Sequence, residues 1–283
     1  MLTSLVNNIK YETNKPRNDG WLHFSSHLNH DRHTVLYYTH GYPENTWDRP
    51  WMNTLPLLQG TAIHEQLHKI MSDAYQVYEP ETDVYPPEDM TQYKWKGTAD
   101  ALIEDNDGMV WLIDYKTISG ASFSFLDGPK PEHIMQVSAY YHYMPLHIDK
   151  VAILYLPTSA DYKRRWPEPV LYEVEPWTAD ALAARIWKVE EAISAYKSSS
   201  ILPDAPEGKV YWKENKRNKN WELHYKPHYA SMFCPWKDQE DDPCGCSAET
   251  PVHIGSWSED RIEGDEDIVS AYLSECPGWT PEV

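Results

Sequence analysis

Four consecutive apolar residues, Val110, Trp111, Leu112 and Ile113, run straight into a carboxylate, Asp114, and Lys116 follows two residues later. An apolar run of this kind reads as a buried strand, in which an ionised side chain is costly unless a cation compensates it. The turn-forming segment Asp105 to Gly108 precedes the run, so Tyr93 to Ile103 and Met109 to Thr117 are expected to pair as a β-hairpin. The hairpin places Asp100 near one strand and Asp114 on the next, with Lys116 on the same face as Asp114. Two carboxylates about 4 Å apart repel by roughly 4 kcal/mol at an effective dielectric near 20. A bound Mg²⁺ or Mn²⁺ reverses that sign. Standing alone, the Asp-x-Lys triplet would be a surface salt bridge.

The rest of the chain supplies elements to surround this hairpin. Leu57, Leu58, Ala62, Ile63, Leu67, Ile70, Met71 and Ala74 recur at helical spacing and predict a helix from Leu55 to about Tyr78. A second helix starts near Pro131 and carries Ile134, Val137, Ser138 and Tyr141. Val151 to Leu156 reads as a buried strand, Val170 to Val174 as an alternating one, and Thr178 caps a long helix through Tyr196. The first 55 residues give no clean period and are expected to form short helices and loops. This order predicts an α/β fold with a central mixed sheet flanked by helices.

Four short motifs stand in order along this framework: Gly60-Thr61-Ala62-Ile63-His64, Gly97-Thr98-Ala99-Asp100, Asp114-Tyr115-Lys116-Thr117, and Gln136 with Tyr140 at helical i, i+4 spacing. Together they resemble the RecB-type branch of the PD-(D/E)XK nuclease superfamily, which includes phage exonucleases and CRISPR-associated adaptation nucleases. The resemblance covers about 80 residues, Gly60 to Tyr140. It implies a restriction-endonuclease-like core and a Mg²⁺- or Mn²⁺-dependent deoxyribonuclease, most simply an exonuclease acting on single-stranded ends. It further implies that His64, Asp100, Asp114 and the backbone carbonyl of Tyr115 hold the metal, that Lys116 positions or activates the attacking water, and that Gln136 and Tyr140 contact DNA. No ATPase motif accompanies these residues, so a helicase or recombination partner would be a separate chain.

A rival motif overlaps the first. His64-Glu65-Gln66-Leu67-His68 satisfies H-E-x-x-H, the helix signature of zinc metalloproteases. Its extended form fails, because Met71 and Ala74 stand where a Gly and a third His are required. The following acidic residues, Glu79, Glu81 and Asp83, lie among prolines rather than on a helix. Zinc proteolysis is therefore the alternative reading, together with a non-catalytic DNA-binding module on the same scaffold. The four cysteines, Cys234, Cys244, Cys246 and Cys276, all fall late in the chain. None precedes His64, as the iron–sulfur members of the family require, so Cys234, Cys244 and Cys246 are read as reduced thiols in preference to a structural zinc or iron–sulfur site. His23, His27, His30 and His33 are read as a polar helix face in preference to a metal stripe.

Charge distribution matters more than its total. The chain carries a formal net charge of -19, which opposes binding to a polyanion, but much of the excess lies after Asp238. Residues 1–236 are read as one nuclease domain with its motif core at 56–200, and 237–283 as an acidic, partly disordered tail. The basic cluster is at 207–226, where Lys213, Lys216 and Arg217 accompany Trp212 and are expected to contact DNA. No apolar stretch is long enough to span a bilayer, and the late cysteines favour a reducing, cytoplasmic compartment.

Overall fold

The computed structural model describes residues 18–42, 51–78, 81–204, 209–214, 221–226 and 252–257. The elements run β1 (Leu22–His23), α1 (Phe24–His27), α2 (Asp31–His40), α3 (Trp51–Ala74), β2 (Gln76–Val77), β3 (Thr82–Val84), β4 (Trp95–Ala99) and β5 (Ala101–Glu104). They continue through β6 (Val110–Ile118), α4 (Gly120–Phe123), α5 (Pro131–Tyr143), β7 (Lys150–Pro157), β8 (Val170–Glu173), α6 (Ala179–Ser199), β9 (Lys209–Glu214), β10 (Trp221–Lys226) and β11 (Val252–Trp257). The architecture is α/β, with mixed sheets flanked by helices. Among the described residues no helix is long and apolar enough to cross a membrane.

The central sheet has the order β2-β5-β6-β7-β8. β5 and β6 form the expected hairpin, antiparallel with Ala101 opposite Ile113, while β6 and β7 run parallel with Lys116 opposite Tyr155. A parallel pair needs a crossover, and α5 supplies it. Pro131 starts α5 at a position where its missing N–H is not needed, and the Thr178 hydroxyl caps α6 by accepting from Ala181 N at 3.2 Å. α6 ends at Ser200, in the left-handed region at φ 58°, whose N–H donates to Tyr196 O.

Two predicted boundaries moved. α3 starts before Leu55 and stops at Ala74, because Gln76 and Val77 are drawn into pairing with Glu104 and Ile103. The strand expected over Tyr93 to Ile103 breaks at Asp100. β4 pairs with β1 and β3, whereas β5 pairs with β2 and β6, so the chain changes sheet at that residue. The opposite segment does the same between β2 and β3, turning at Glu81 with φ 54°.

Side-chain alternation divides the apolar residues between two faces. Leu112, Val151, Ile153 and Tyr155 join a large core with Phe24, Trp95, Tyr140, Leu182 and Ile186, on the side of α5 and α6. Ala101, Ile103, Ile113, Tyr115 and Ala152 form a smaller core under Leu67 and Met71 of α3. The histidine run is not a solvated helix face: His27 is buried, stacks on Tyr37 at 4.2 Å between centroids, and accepts from the His23 backbone N–H at 2.7 Å. Burial holds its pKa down to about 3, so it is neutral.

β9, β10 and β11 form a separate antiparallel sheet. Within it Trp212 and Lys213 lie in β9, opposite Leu223 and Glu222. Val252–Trp257, inside the segment predicted to be an acidic tail, is a strand paired with β10. Lys216, Arg217, Cys234, Cys244, Cys246 and Cys276 lie outside the described residues.

Candidate metal and phosphate site

Period-two alternation on β6 sends Asp114 and Lys116 toward α5 and Tyr115 toward α3. Asp114 is 1 % exposed. Its Oδ1 accepts from Gln136 Nε2 at 3.1 Å, and Lys116 Nζ donates to Gln136 Oε1 at 2.8 Å. Asp114 Oδ2 lies 2.9 Å from Lys116 Nζ, an ion pair that faces the ammonium to this buried oxygen. One helical turn on, Tyr140 accepts from Gln136 Nε2 at 2.7 Å. Gln136 thus ties carboxylate, ammonium and phenol together.

Burial pushes the Asp114 carboxyl up, to about 6. Lys116 opposes that rise, and the nearby Asp100 carboxylate adds to it.

Asp100 occupies the residue at which the chain changes sheet. Continuing the register of β5 and β6 puts it across from Asp114, and its Oδ2 accepts from Tyr115 N at 2.7 Å. Its other oxygen faces α3, where His64 Nδ1 stands 3.4 Å away. The Asp100 contact raises the His64 pKa, against partial burial.

All of His64, Asp100, Asp114, Tyr115, Lys116, Gln136 and Tyr140 therefore come to one end of the central sheet, but in two groups. Asp114, Lys116, Gln136 and Tyr140 are hydrogen-bonded on the α5 side, while His64 and Asp100 pair on the α3 side. Among the described residues no three carboxylate, imidazole or thiol side chains form a preformed metal cage. The donor chemistry still suits a hard divalent cation. Two carboxylates and an imidazole lie within electrostatic reach of one another. Gln136 and Tyr140, expected to touch DNA, are 5 % and 2 % exposed. In this structure they hold Asp114 and Lys116 and do not present themselves to a ligand.

The same wall contains residues that the motif reading did not single out. Tyr155, opposite Lys116 in the ladder, accepts from Lys130 N at 3.0 Å and shares a 2.7 Å hydrogen bond with His133 Nδ1. Burial, then the charges of Lys116 and Lys130, hold the His133 pKa down to about 3. The signal available in the sequence was that His133 precedes Gln136 by three residues and so shares its helix face. Glu65 of the H-E-x-x-H motif is exposed, so the position of a zinc protease's general base is turned to solvent.

A separate open cavity of about 890 Å³ lies between α2 and α6, lined by Arg32, Arg185 and Lys188 among others. Arg185 and Lys188 share Asp31, and Glu191 and Asp204 also line it, so its three cations face three carboxylates, and it contains none of the residues above.

No protein-family model matches this chain, and no curated protein sequence is detectably similar to it. Solved structures do resemble it. One, described as the crystal structure of SSO0001, is 19 % identical over 67 % of this chain and 85 % of its own length, with a TM-score of 0.48.

Proposed function

We propose that this chain is a divalent-metal-dependent DNA nuclease built on a PD-(D/E)XK core, with Asp100, Asp114 and His64 as metal ligands and Lys116 beside the attacked phosphate. The observation that carries this reading is the buried Asp114, locked to Lys116 through Gln136 and set across the strand from Asp100. A Mg²⁺ or Mn²⁺ ion held by Asp100, Asp114 and His64 would lower the pKa of a bound water and compensate charge at the phosphorus.

The chain's own groups account for the remaining requirements. Lys116 Nζ has Gln136 Oε1 as a fixed acceptor, so its ammonium is aimed before substrate arrives, and aimed charge stabilises a transition state without reorganisation. Gln136 spends its amide N–H groups on Asp114 Oδ1 and the Tyr140 hydroxyl, which fixes the carboxylate's rotation. Asp100 is held by Tyr115 N, leaving its second oxygen toward His64. DNA is the substrate on this reading, with single-stranded ends the favoured form.

The test is hydrolysis of end-labelled single- and double-stranded DNA across Mg²⁺, Mn²⁺ and EDTA. Activity is expected with either metal and none in EDTA, and Asp114→Ala and Lys116→Ala should each lower it by about 10²-fold or more. Undiminished cleavage by both variants would overturn the assignment.

A further inference from the structure

The two strands at the centre of the sheet end in an exposed aromatic and basic surface that the nuclease reading leaves unassigned. β6 and β7 run parallel and finish level, with Ile118 opposite Pro157, two residues beyond Lys116. Ligands of α/β sheets gather at such carboxyl ends. The segment leaving β6 forms α4 and then presents Phe125, and the segment leaving β7, residues 158–169, presents Tyr162 and Trp166. These three side chains are 75, 74 and 67 % exposed. The rings of Phe125 and Tyr162 meet edge to face at 6.0 Å between centroids, so the two segments share one aromatic surface.

The segment after β7 is a built turn. Asp161 Oδ1 accepts from Lys163 N and Arg165 N, each at 2.8 Å, and the Asp161 backbone N–H donates to Arg165 O at 2.7 Å. Its base is tied to the strand that carries Lys116: Thr158 N donates to Ile118 O at 2.8 Å, and Gly120 N to Ser159 Oγ at 2.9 Å. A Cβ at Gly120 would stand 2.1 Å from Ser159 O, so α4 and the turn pack backbone to backbone. Side chains on a turn held this way need little backbone ordering when a ligand arrives.

Charge indicates the occupant. Arg165 folds back onto Asp161 at 3.2 Å, whereas Lys163 and Arg164 have no ion-pair partner among the described residues, and the segment's other acid, Glu168, pairs with neither. Both cations are exposed, between aromatic rings, on a chain whose formal net charge is -19. Aromatic faces stack on unpaired bases, and Lys and Arg meet the phosphates that join them. A duplex hides its base faces and gains only the charge contact. We propose that Phe125, Tyr162 and Trp166, with Lys163 and Arg164, grip an unpaired DNA strand at the end of β6 and make the chain favour single-stranded over paired DNA. The inference rests on the nuclease reading for the choice of DNA, and the grip itself needs no metal.

Fluorescence anisotropy of a labelled oligothymidylate, measured in EDTA with the full-length protein, tests this apart from cleavage. The double variant Tyr162→Ala, Trp166→Ala should bind the single strand at least about fivefold more weakly, with a smaller loss on a duplex of equal length. Lys163→Gln with Arg164→Gln should weaken both and lower the single-strand salt slope by about 1.4. All four positions are exposed, so folding should be intact, which thermal melts verify. A single-strand loss below about fivefold in the aromatic variant, or an equal loss on duplex, would overturn the proposal. So would vesicles of anionic phospholipid, run in parallel, losing the aromatic variant while DNA does not, which would make a membrane the partner. Strand binding through this turn with no cleavage in Mg²⁺ or Mn²⁺ would keep this inference and lose the nuclease, and cleavage with unaltered affinity in the variants would do the reverse.

Discussion

Asp114 shows what the interior does to a charge and what that does to stability. Its folded pKa, near 6, lies above the ordinary 3.8, so the folded state holds a proton more tightly than the unfolded one. The associated stability is full below pH 3.8 and is lost as pH rises through 6. Asp114→Asn removes this dependence. In EDTA, its stability relative to the parent should rise with pH between about 4 and 6 and then level off, as read by urea denaturation; a flat difference would contradict the burial argument. His27 has the opposite sign. Its folded pKa, about 3, lies below 6.5, so stability is full above pH 6.5 and falls with acid, and His27→Gln should flatten that fall. That Asp114, Lys116, Gln136 and Tyr140 come together could be read from the sequence, because periods of two and 3.6 place such residues on shared faces; that Gln136 and Tyr140 are buried and hold Asp114 and Lys116 could not. Nor could the turn at Glu81, since no local pattern announces a positive φ there.

At the level of elements, the site depends on how closely α5 approaches β4. A Cβ added at Gly97 would lie 2.3 Å from Tyr140 Cε1 and 2.8 Å from Phe24 Cδ2, so only glycine lets the helix carry Gln136 down to Asp114. Gly97→Ala should cost about 1–3 kcal/mol and, by displacing Tyr140, lower cleavage more than it lowers the melting temperature alone would predict; wild-type activity at a temperature where the variant is fully folded would refute this. The hairpin, α5, β7 and the cap of α6 all follow from local signals in the sequence. The sheet change at Asp100 does not, because β4 and β5 are each ordinary strands and only their distant partners, β1 and β3 against β2 and β6, separate them.

For the whole molecule, one buried acid joins distant parts. Glu190 of α6, 2 % exposed, accepts from Gln92 N, Tyr93 N and Trp95 Nε1, fastening the last long helix to the start of β4. Glu190→Ala strands these donors and should cost roughly 3 kcal/mol or more, seen as a lower urea midpoint; an unchanged midpoint would remove the fastening role. Such a contact, 95 residues apart in sequence, leaves no periodic trace, and a carboxylate on a helix looks like surface until its partners are known. The seam at Asp100 has a further consequence, for how this chain can vary in length. Side chains on either side of it alternate in two independent ladders, so a one-residue insertion between Ala99 and Ala101 would invert the facing of β4 or of β5 and take the carboxylate away from Tyr115 N. Loops such as Asp105 to Gly108 can grow without that penalty. Divergence by insertion is thus open to the periphery and closed at Asp100, on which both sheets must agree.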